Sequence, residues 1–285
     1  PRRWVYTIPR QVKKCTLSVP CRRTCSICWR YWRVKTLSSI EMPRFIEPQW
    51  PARARVQALC TTRQGGGSAS PWDSFNLGHH VGDSPAAVTA NRAVLADSIA
   101  PATRIQWLEQ VHGTEVVEAG QGDTPVADAC WTRTPGIACA VMTADCLPVL
   151  FASADGSVVA AAHAGWRGLQ AGVLEATLRA MGGQASGTLA WLGPAIGPRA
   201  FEVGPEVREA FVSRAAQAST CFTPSAGRPG HFLADIYQLA RQRLVGAGVT
   251  RIFGGEFCTY SDDARFFSYR RDGQTGRMAS LIWIP

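Results

Sequence analysis

Two runs of β-branched and small apolar residues, 147–153 and 157–163, flank a short segment that contains Asp155-Gly156. An Asp-Gly pair between such runs is typical of a β-hairpin with a two-residue turn. Counting outward from that turn, we expect His163 to lie opposite Pro148 on the neighbouring strand. The pattern therefore fixes a register as well as a hairpin.

The same count places Cys146 on the face of the hairpin that carries His163, in the diagonal position. Diagonal neighbours are roughly 7–8 Å apart at the backbone, close enough for two side chains to share a metal ion. His112 follows a separate apolar segment and precedes Gly113. No local rule brings His112 to the hairpin.

Apolar residues at 169, 173, 174, 178 and 181 have helical spacing and predict a helix over Leu169–Met181. A second helix is expected from Asp83 to Ala100, with Pro85 in its first turn, where proline is favoured. Further helices are expected over 205–218 and 235–245. Strands are expected over 56–62, 104–111, 115–118, 251–253, 266–270 and 279–284.

Most of these strands connect as hairpins rather than as regular strand–helix repeats. That arrangement favours an α+β fold with mixed β-sheets over a doubly wound parallel sheet. The sequence contains no glycine-rich dinucleotide-binding fingerprint after a strand, no P-loop and no repeat of 20–50 residues.

His112, Cys146 and His163 together offer one thiolate and two imidazoles. This donor set suits a tetrahedral zinc ion whose fourth position is left open, which is the catalytic type of zinc site. Taken singly, a cysteine or histidine beside a strand is more often a buried structural residue. The hairpin spacing makes a shared function of Cys146 and His163 about as plausible as a structural one.

Arg167 lies at the start of the helix predicted over Leu169–Met181. Unpaired amides at a helix N-terminus attract anions, and a neighbouring guanidinium strengthens the attraction. We therefore predict an anion-binding role for Arg167, against the alternative that it only pairs with surface carboxylates. Arg63 begins a glycine-rich loop, 63–70, that either covers a cleft or is a solvated linker.

The formal net charge of +9 is unevenly distributed. Residues 1–41 hold ten lysines and arginines and one acid, whereas residues 42–285 hold twenty arginines and twenty acids. The main part of the chain is thus neutral, which argues against a nucleic-acid-binding protein. We expect one catalytic domain over 42–285, acting on a small-molecule substrate.

Residues 1–41 form a basic leader with four cysteines, three tryptophans and no regular periodicity. A zinc knuckle, a transit peptide and a basic nucleic-acid-binding arm each fit part of this composition. The interpretation we favour is an extraneous or disordered segment, translated from upstream of a true start at Met42.

No apolar run reaches the roughly 18 residues of a membrane span, and no signal-peptide core is present. The cysteines of the main part are scattered without a disulfide pattern. Free thiols in a chain without an export signal are typical of the cytoplasm, so we expect a cytoplasmic protein without membrane contact.

Several longer motifs resemble the YfiH/laccase-domain family, also known as the peptidoglycan editing factor family and as a purine nucleoside phosphorylase family. The resemblance runs from about Met42 to the C-terminus. The motifs that carry it are Asn76–Asp83, Trp107–Gly113, Cys139–Phe151, Ala160–Gly168, Trp191–Pro198 and Phe267–Asp272.

The resemblance implies a layered α/β/β/α fold with mixed sheets, similar to that of toxin deamidases that use a Cys–His pair. It also implies that His112, Cys146 and His163 are the zinc ligands and the catalytic residues. The implied reactions are the phosphorolysis of adenosine, inosine, guanosine and S-methyl-5′-thioadenosine, and the deamination of adenosine.

Zinc lowers the pKa of a bound water toward about 7, which suits deamination. Ordinary zinc deaminases use a His/Cys/Cys site and a glutamate in an H-x-E motif. That motif is absent here, so Asp145 or His80 would have to carry the proton. For phosphorolysis, Arg167 and Arg63 would bind the phosphate.

Two other classes of enzyme remain. Cys146 as nucleophile and His163 as base would give a cysteine amidase that removes a wrong amino acid from a UDP-MurNAc-linked peptidoglycan precursor. A copper polyphenol oxidase, the older laccase label of the family, is less favoured. A multicopper centre would need several His-x-His pairs, and the five histidines form none.

A chain truncated to begin at Met42 should match the full-length protein in activity and melting temperature, because the leader shares neither the pattern nor the charge balance of the rest. Enzyme assays and thermal melts of the two proteins check this. A large loss in the truncated chain would instead support the nucleic-acid-binding arm or the zinc knuckle.

Overall fold

The computed structural model describes residues 43–53, 55–99 and 104–285. The leader and the start at Met42 lie outside the described residues. Within them the chain is a mixed α+β fold with three β-sheets, as the hairpin connections predicted. No helix among these residues has the length and apolar character needed to cross a bilayer.

The first sheet has five strands in the order β1-β2-β14-β6-β3, and only the β3–β6 pair is parallel. Its strands are β1 (Phe45–Ile46), β2 (Gln57–Thr61), β3 (Arg104–Gln106), β6 (Ile137–Thr143) and β14 (Met278–Trp283).

The second sheet has six strands in the order β13-β9-β7-β8-β5-β4, with parallel pairs at its two edges. Its strands are β4 (Val116–Glu118), β5 (Ala129–Thr132), β7 (Leu147–Ser153), β8 (Val159–Ala164), β9 (Thr188–Leu192) and β13 (Arg251–Gly254). A small antiparallel sheet contains β10 (Glu202–Val203), β11 (Phe222–Pro224) and β12 (Phe232–Ala234).

Six α-helices accompany these sheets in the described part of the chain: α1 (Pro85–Ile99), α2 (Trp166–Ala171), α3 (Val173–Met181), α4 (Pro205–Val212), α5 (Ile236–Gly246) and α6 (Tyr269–Asp272). Short 3-10 turns occupy His79–Val81, Ala185–Gly187 and Ala216–Cys221. The helix predicted after Asp83 is confirmed as α1, which starts at Pro85 as the proline indicated.

The two large sheets share one apolar core, and each packs its other face against helices. On β7, Leu150 belongs to the core between the sheets, whereas Val149 and Phe151 belong to the core with α3 and α5. On β6, Val141 joins the shared core, while Ala140 belongs to the core with α1. This alternation follows from the two-residue period of a strand.

The central hairpin has the predicted register, with Pro148 paired to His163. Its turn is wider than predicted, because the amide of Gly156 donates to the carbonyl of Ser153 and the ladder begins at Ala152 and Val159. The Asp155 carboxylate stabilises this turn by accepting from the hydroxyl groups of Ser153 and Ser157.

Several predicted elements differ from the structure. The strand expected over 104–111 ends at Gln106, and the helix expected over 205–218 ends at Val212. The helix expected over Leu169–Met181 starts earlier and is divided into α2 and α3 at Gly172, whose φ of 113° interrupts a helix and favours glycine. The strand expected over 266–270 is replaced by the short helix α6. There the Ser268 side chain accepts from the amide of Arg271 and caps a helical turn.

Candidate metal and catalytic site

The hairpin presents Cys146 and His163 at one end of the core between the two large sheets. His163 lies on β8 two residues from Ala161, and Cys146 lies four residues before Leu150 on the β7 side. Ala161 and Leu150 both belong to the shared core. By the two-residue period, Cys146 and His163 therefore face the rim of that core.

His112 completes the group from the loop that follows β3. Its Nε2 lies 3.8 Å from the Sγ of Cys146, and its ring centroid lies 4.7 Å from that of His163. The three candidate ligand atoms all lie within 4.8 Å of one another. His112 is exposed, Cys146 is half-buried and His163 is buried, so the group opens to solvent on the His112 side.

The donor set fits a metal ion, since one thiolate and two imidazoles converge with one side open. Zinc bonds of 2.0–2.3 Å in a tetrahedron put ligand atoms roughly 3.5 Å apart, close to the observed 3.8 Å between sulfur and nitrogen. Within the described residues this is the one cluster of three or more His, Cys, Asp or Glu with metal-ligand spacing.

Asp128, which the sequence analysis missed, holds two of these residues in place. Its Oδ1 lies 2.7 Å from the Nδ1 of His163, and its backbone carbonyl accepts from the His163 amide. A carboxylate partner keeps the proton on Nδ1, which leaves Nε2 as the atom able to bind a metal or accept a proton.

The same carboxylate accepts from the amides of Val111, His112 and Gly113, at 3.2, 2.9 and 2.6 Å. His112 has a φ of 61°, a left-handed conformation that is unfavourable for most side chains. These hydrogen bonds offset that strain and fix the loop. Although burial alone would raise the pKa of Asp128, the bonds from His163 and Gly113 lower it.

The signal for Asp128 was one acid inside the apolar run Val126–Trp131, a segment for which the sequence analysis predicted no strand. A carboxylate in such a run is buried, and buried carboxylates need partners. The structure provides those partners and leaves Asp128 without solvent contact.

Gly165 leaves the space in which His112 and Cys146 meet. A Cβ atom at this position would lie 2.9 Å from the His112 ring and 3.0 Å from the Cys146 sulfur. Gly168 likewise allows the Gly113 carbonyl to approach, since a Cβ there would lie 2.8 Å from that oxygen. The two glycines of the motif Ala160–Gly168 therefore allow the His112 loop to pack closely against the start of α2.

Asp145 also has a left-handed backbone, with a φ of 89°. Its carboxylate accepts from the hydroxyl of Thr259 at 2.6 Å and from the amide of Arg270 at 2.7 Å. Its carbonyl accepts from the amide of Ile196. Three distant segments thus hold the residue that precedes Cys146.

The remaining predicted residues lie in different surroundings. Arg167 is the second residue of α2, is exposed, and has its guanidinium 4.5 Å from the Trp166 ring centroid. Arg63 forms an ion pair with Asp73 and lines a pocket that contains none of the three candidate ligands. His80 lies on the 3-10 turn after Gly78.

Without a metal ion, Cys146 and His163 shift each other's pKa in opposite directions, toward the charged form of each. Burial opposes ionisation of the Cys146 thiol, but the His163 charge and a hydrogen bond from His112 outweigh it and lower the pKa to about 6. Burial also disfavours charged His163, but the Cys146 thiolate and Asp128 raise its pKa to about 9. Between these values the pair is a thiolate and an imidazolium.

Without metal, Cys146 should react with iodoacetamide at a rate that levels off above about pH 7, because the thiolate already forms near pH 6. Peptide mass mapping across pH 5–9 checks this. Cys60, whose pKa burial raises to about 12, is the unreactive control. A Cys146 rate that keeps rising through pH 9 would mean that the thiol is unperturbed.

Replacing Asp128→Asn should weaken metal binding about 10- to 100-fold and lower the melting temperature, because the carboxylate orients a ligand and clamps the His112 loop. Asp155→Asn is the matched control, since that carboxylate stabilises only the distant hairpin turn. Zinc titration with a competing chelator measures both variants. Equal metal affinities in the two would contradict the positioning role of Asp128.

Known proteins match this chain over most of its length. A purine nucleoside phosphorylase of Pseudomonas aeruginosa is 58% identical over 243 residues, covering 85% of this chain and 99% of the relative. The YfiH purine nucleoside phosphorylase of Escherichia coli is 55% identical, covering 85% and 100%. A Neisseria meningitidis crystal structure is 51% identical with a TM-score of 0.81, covering 84% of this chain and 98% of that one.

Residues 57–285 match the family described as multi-copper polyphenol oxidoreductase laccase. This match and the identities above confirm the resemblance that the motifs indicated. The chain belongs to this laccase-domain family, that of the YfiH proteins.

Proposed function

We propose that the chain is a zinc-dependent purine nucleoside enzyme. Its expected reactions are the phosphorolysis of adenosine, inosine, guanosine and S-methyl-5′-thioadenosine, and the deamination of adenosine. The observation that carries the proposal is the open cluster of His112, Cys146 and His163. Further support comes from two relatives named purine nucleoside phosphorylases, which this chain matches over nearly their whole length.

His112, Cys146 and His163 would hold the metal, which would act as a Lewis acid and lower the pKa of water. Zinc is the ion we propose, because it suits mixed nitrogen and sulfur donors with an open position. Copper, which the family description implies, also accepts two histidines and one cysteine in single-ion sites. The three donors are too few for a multicopper centre, so copper is disfavoured.

Phosphorolysis breaks the bond between C1′ of the sugar and the purine nitrogen, and forms a bond between C1′ and a phosphate oxygen. The proton of hydrogen phosphate ends on the purine, and nothing is oxidised or reduced. Arg167 and Arg63 are the phosphate-binding residues predicted from the sequence. Arg167 is the better supported, since no acid pairs with it among the described residues, whereas Arg63 is paired with Asp73.

Deamination requires a group that accepts and returns a proton. Partial desolvation and the positive charges of Arg277 and Arg92 lower the pKa of His80 below its usual value. The lowered pKa favours the neutral form of His80, which is the form able to accept a proton, and this supports it as the shuttle. Asp145 remains the second candidate, with both carboxylate oxygens already hydrogen-bonded.

The second candidate function is a cysteine amidase acting on a peptidoglycan precursor. The observation that favours it is the Cys146–His163 pair, whose shifted pKa values describe a nucleophile with an acid beside it when no metal is bound. The layered α/β/β/α arrangement implied by the family, and its likeness to toxin deamidases with a Cys–His pair, agree with this alternative. Either reaction would take place in the cytoplasm, where free cysteines stay reduced.

A paired assay of the purified full-length protein separates the two functions. Adenosine with phosphate should yield adenine and inosine, and both products should disappear on zinc chelation and in Cys146→Ser. Elemental analysis should find about one zinc per chain, lost in Cys146→Ala. Cleavage of a muramoyl-amino-acid conjugate that survives chelation but not Cys146→Ser would overturn the nucleoside function and support the amidase.

A further inference from the structure

Four basic side chains lie near one another, and the reactions above assign a role to only one of them, His80. The basic cluster consists of His79, His80, Arg92 and Arg277. Arg277 directly precedes β14, whose first residue Met278 pairs with Thr143 at the end of β6. Arg277 therefore lies beside the end of β6. From that point the chain continues through Asp145 to Cys146.

The other members of the basic cluster adjoin Arg277 through the loop before α1. A Cβ atom on Gly78 would lie 2.9 Å from the Cγ of Arg277, so this side chain packs against the residue that precedes His79 and His80. Arg92, on α1, donates to the carbonyl of Leu77 in the same loop.

One buried amide ties these segments together. The Oδ1 of Asn76 accepts from the amides of Gly78 and Arg277, each at 2.9 Å. Its Nδ2 donates to Asp83 and to the Gly78 carbonyl. The basic cluster is thus held on a fixed framework, which is what a binding site requires.

Neither guanidinium of the basic cluster has a carboxylate within 4 Å in the described part of the chain. The Nη1 of Arg277 donates to the carbonyls of Thr275 and Gly276. The guanidinium of Arg92 lies 3.9 Å from the Trp107 ring centroid. By contrast, the half-buried arginines 63 and 243 form ion pairs with Asp73 and Glu175.

Both arginines of the basic cluster are partly desolvated, which disfavours their charged form. Burial lowers the pKa of Arg277, with Cys146 and Asp145 opposing the shift, and burial lowers the pKa of Arg92 to about 10. A partly buried cation that lacks a paired acid is unfavourable by itself and is stabilised by an anionic ligand.

We propose that Arg277, flanked by His80 and backed by the charge of Arg92, binds an oxyanion of the substrate beside Cys146. Under the proposed function, on which this assignment rests, the oxyanion is the inorganic phosphate whose oxygen replaces the purine at C1′. The planar guanidinium of Arg277 suits such an oxyanion, because its N–H groups form a fork that donates to two oxygens at once. Arg167, exposed and stacked on Trp166, is the competing candidate.

Replacing Arg277→Gln in the full-length, metal-loaded protein should raise the KM for phosphate about 10- to 100-fold, the loss expected for hydrogen bonds to a charged group. The KM for the nucleoside and the zinc content should change less than about twofold. Arg277→Lys keeps the positive charge but lacks the fork of N–H groups. Its KM for phosphate should lie between that of the wild type and that of Arg277→Gln. Arg179→Gln, an exposed residue of α3, is the matched control and should leave both KM values unchanged.

A binding readout without turnover accompanies the kinetics. Phosphate should raise the melting temperature of the wild-type protein, by more as its concentration exceeds the Kd, and that shift should vanish in Arg277→Gln but persist in Arg179→Gln. Circular dichroism checks that each variant is folded. An unchanged phosphate KM and an unchanged melting shift in both Arg277 variants would overturn the subsite, even with phosphorolysis intact in the wild type.

Failure of the proposed function gives a different pattern. If the wild type shows no phosphorolysis but its phosphate-dependent melting shift still depends on Arg277, the subsite stands and the nucleoside reaction falls. If phosphate produces no shift while Arg277→Gln raises the KM for the muramoyl-amino-acid conjugate, the oxyanion is a carboxylate of that substrate. If Arg167→Ala, and not Arg277→Gln, raises the phosphate KM, the anion is bound at α2.

Discussion

The buried carboxylate of Asp128 is the interaction on which the candidate site depends. Asp128 lies directly before β5, opposite His163 on β8, so one strand pair places the carboxylate against the imidazole. The same group accepts three successive backbone amides from the His112 loop. Removing one partner from a buried charged pair typically costs about 3–5 kcal/mol. Loss of this carboxylate would release two of the three candidate ligands together.

The hairpin half of the site could be predicted from the sequence, and the rest could not, for a physical reason. The pairing of Pro148 with His163 follows from counting across a turn, because strand register is a local property. The approach of His112 and the clamp by Asp128 depend on packing between segments distant in sequence. No propensity rule encodes such contacts. The predicted strand over 266–270 failed for a related reason, since the capping side chain of Ser268 outweighed the apolar pattern before it.

A metal site and a cysteine nucleophile at Cys146 would both require the protein to stabilise the same ionised side chain. Both need a deprotonated thiol, and the histidines that lower the pKa of Cys146 are the ones that would share the metal with it. Hydrogen bonds hold His112 and Asp145 in their left-handed backbone conformations, and this keeps the three side chains of the candidate site close together. The same arrangement of residues would therefore serve either of the two proposed reactions.

The pairing of β7 with β8 also links the length of the turn between them to the position of His163. An insertion or deletion of one residue around Gly156 that the turn itself does not absorb would shift β8 by one position against β7. His163 would then exchange faces with Ala162 or Ala164, placing an imidazole among the helix-side apolar residues and a methyl group at the rim. The length of this turn, at the far end of the hairpin from His163, thus affects the geometry of the candidate site through the strand register.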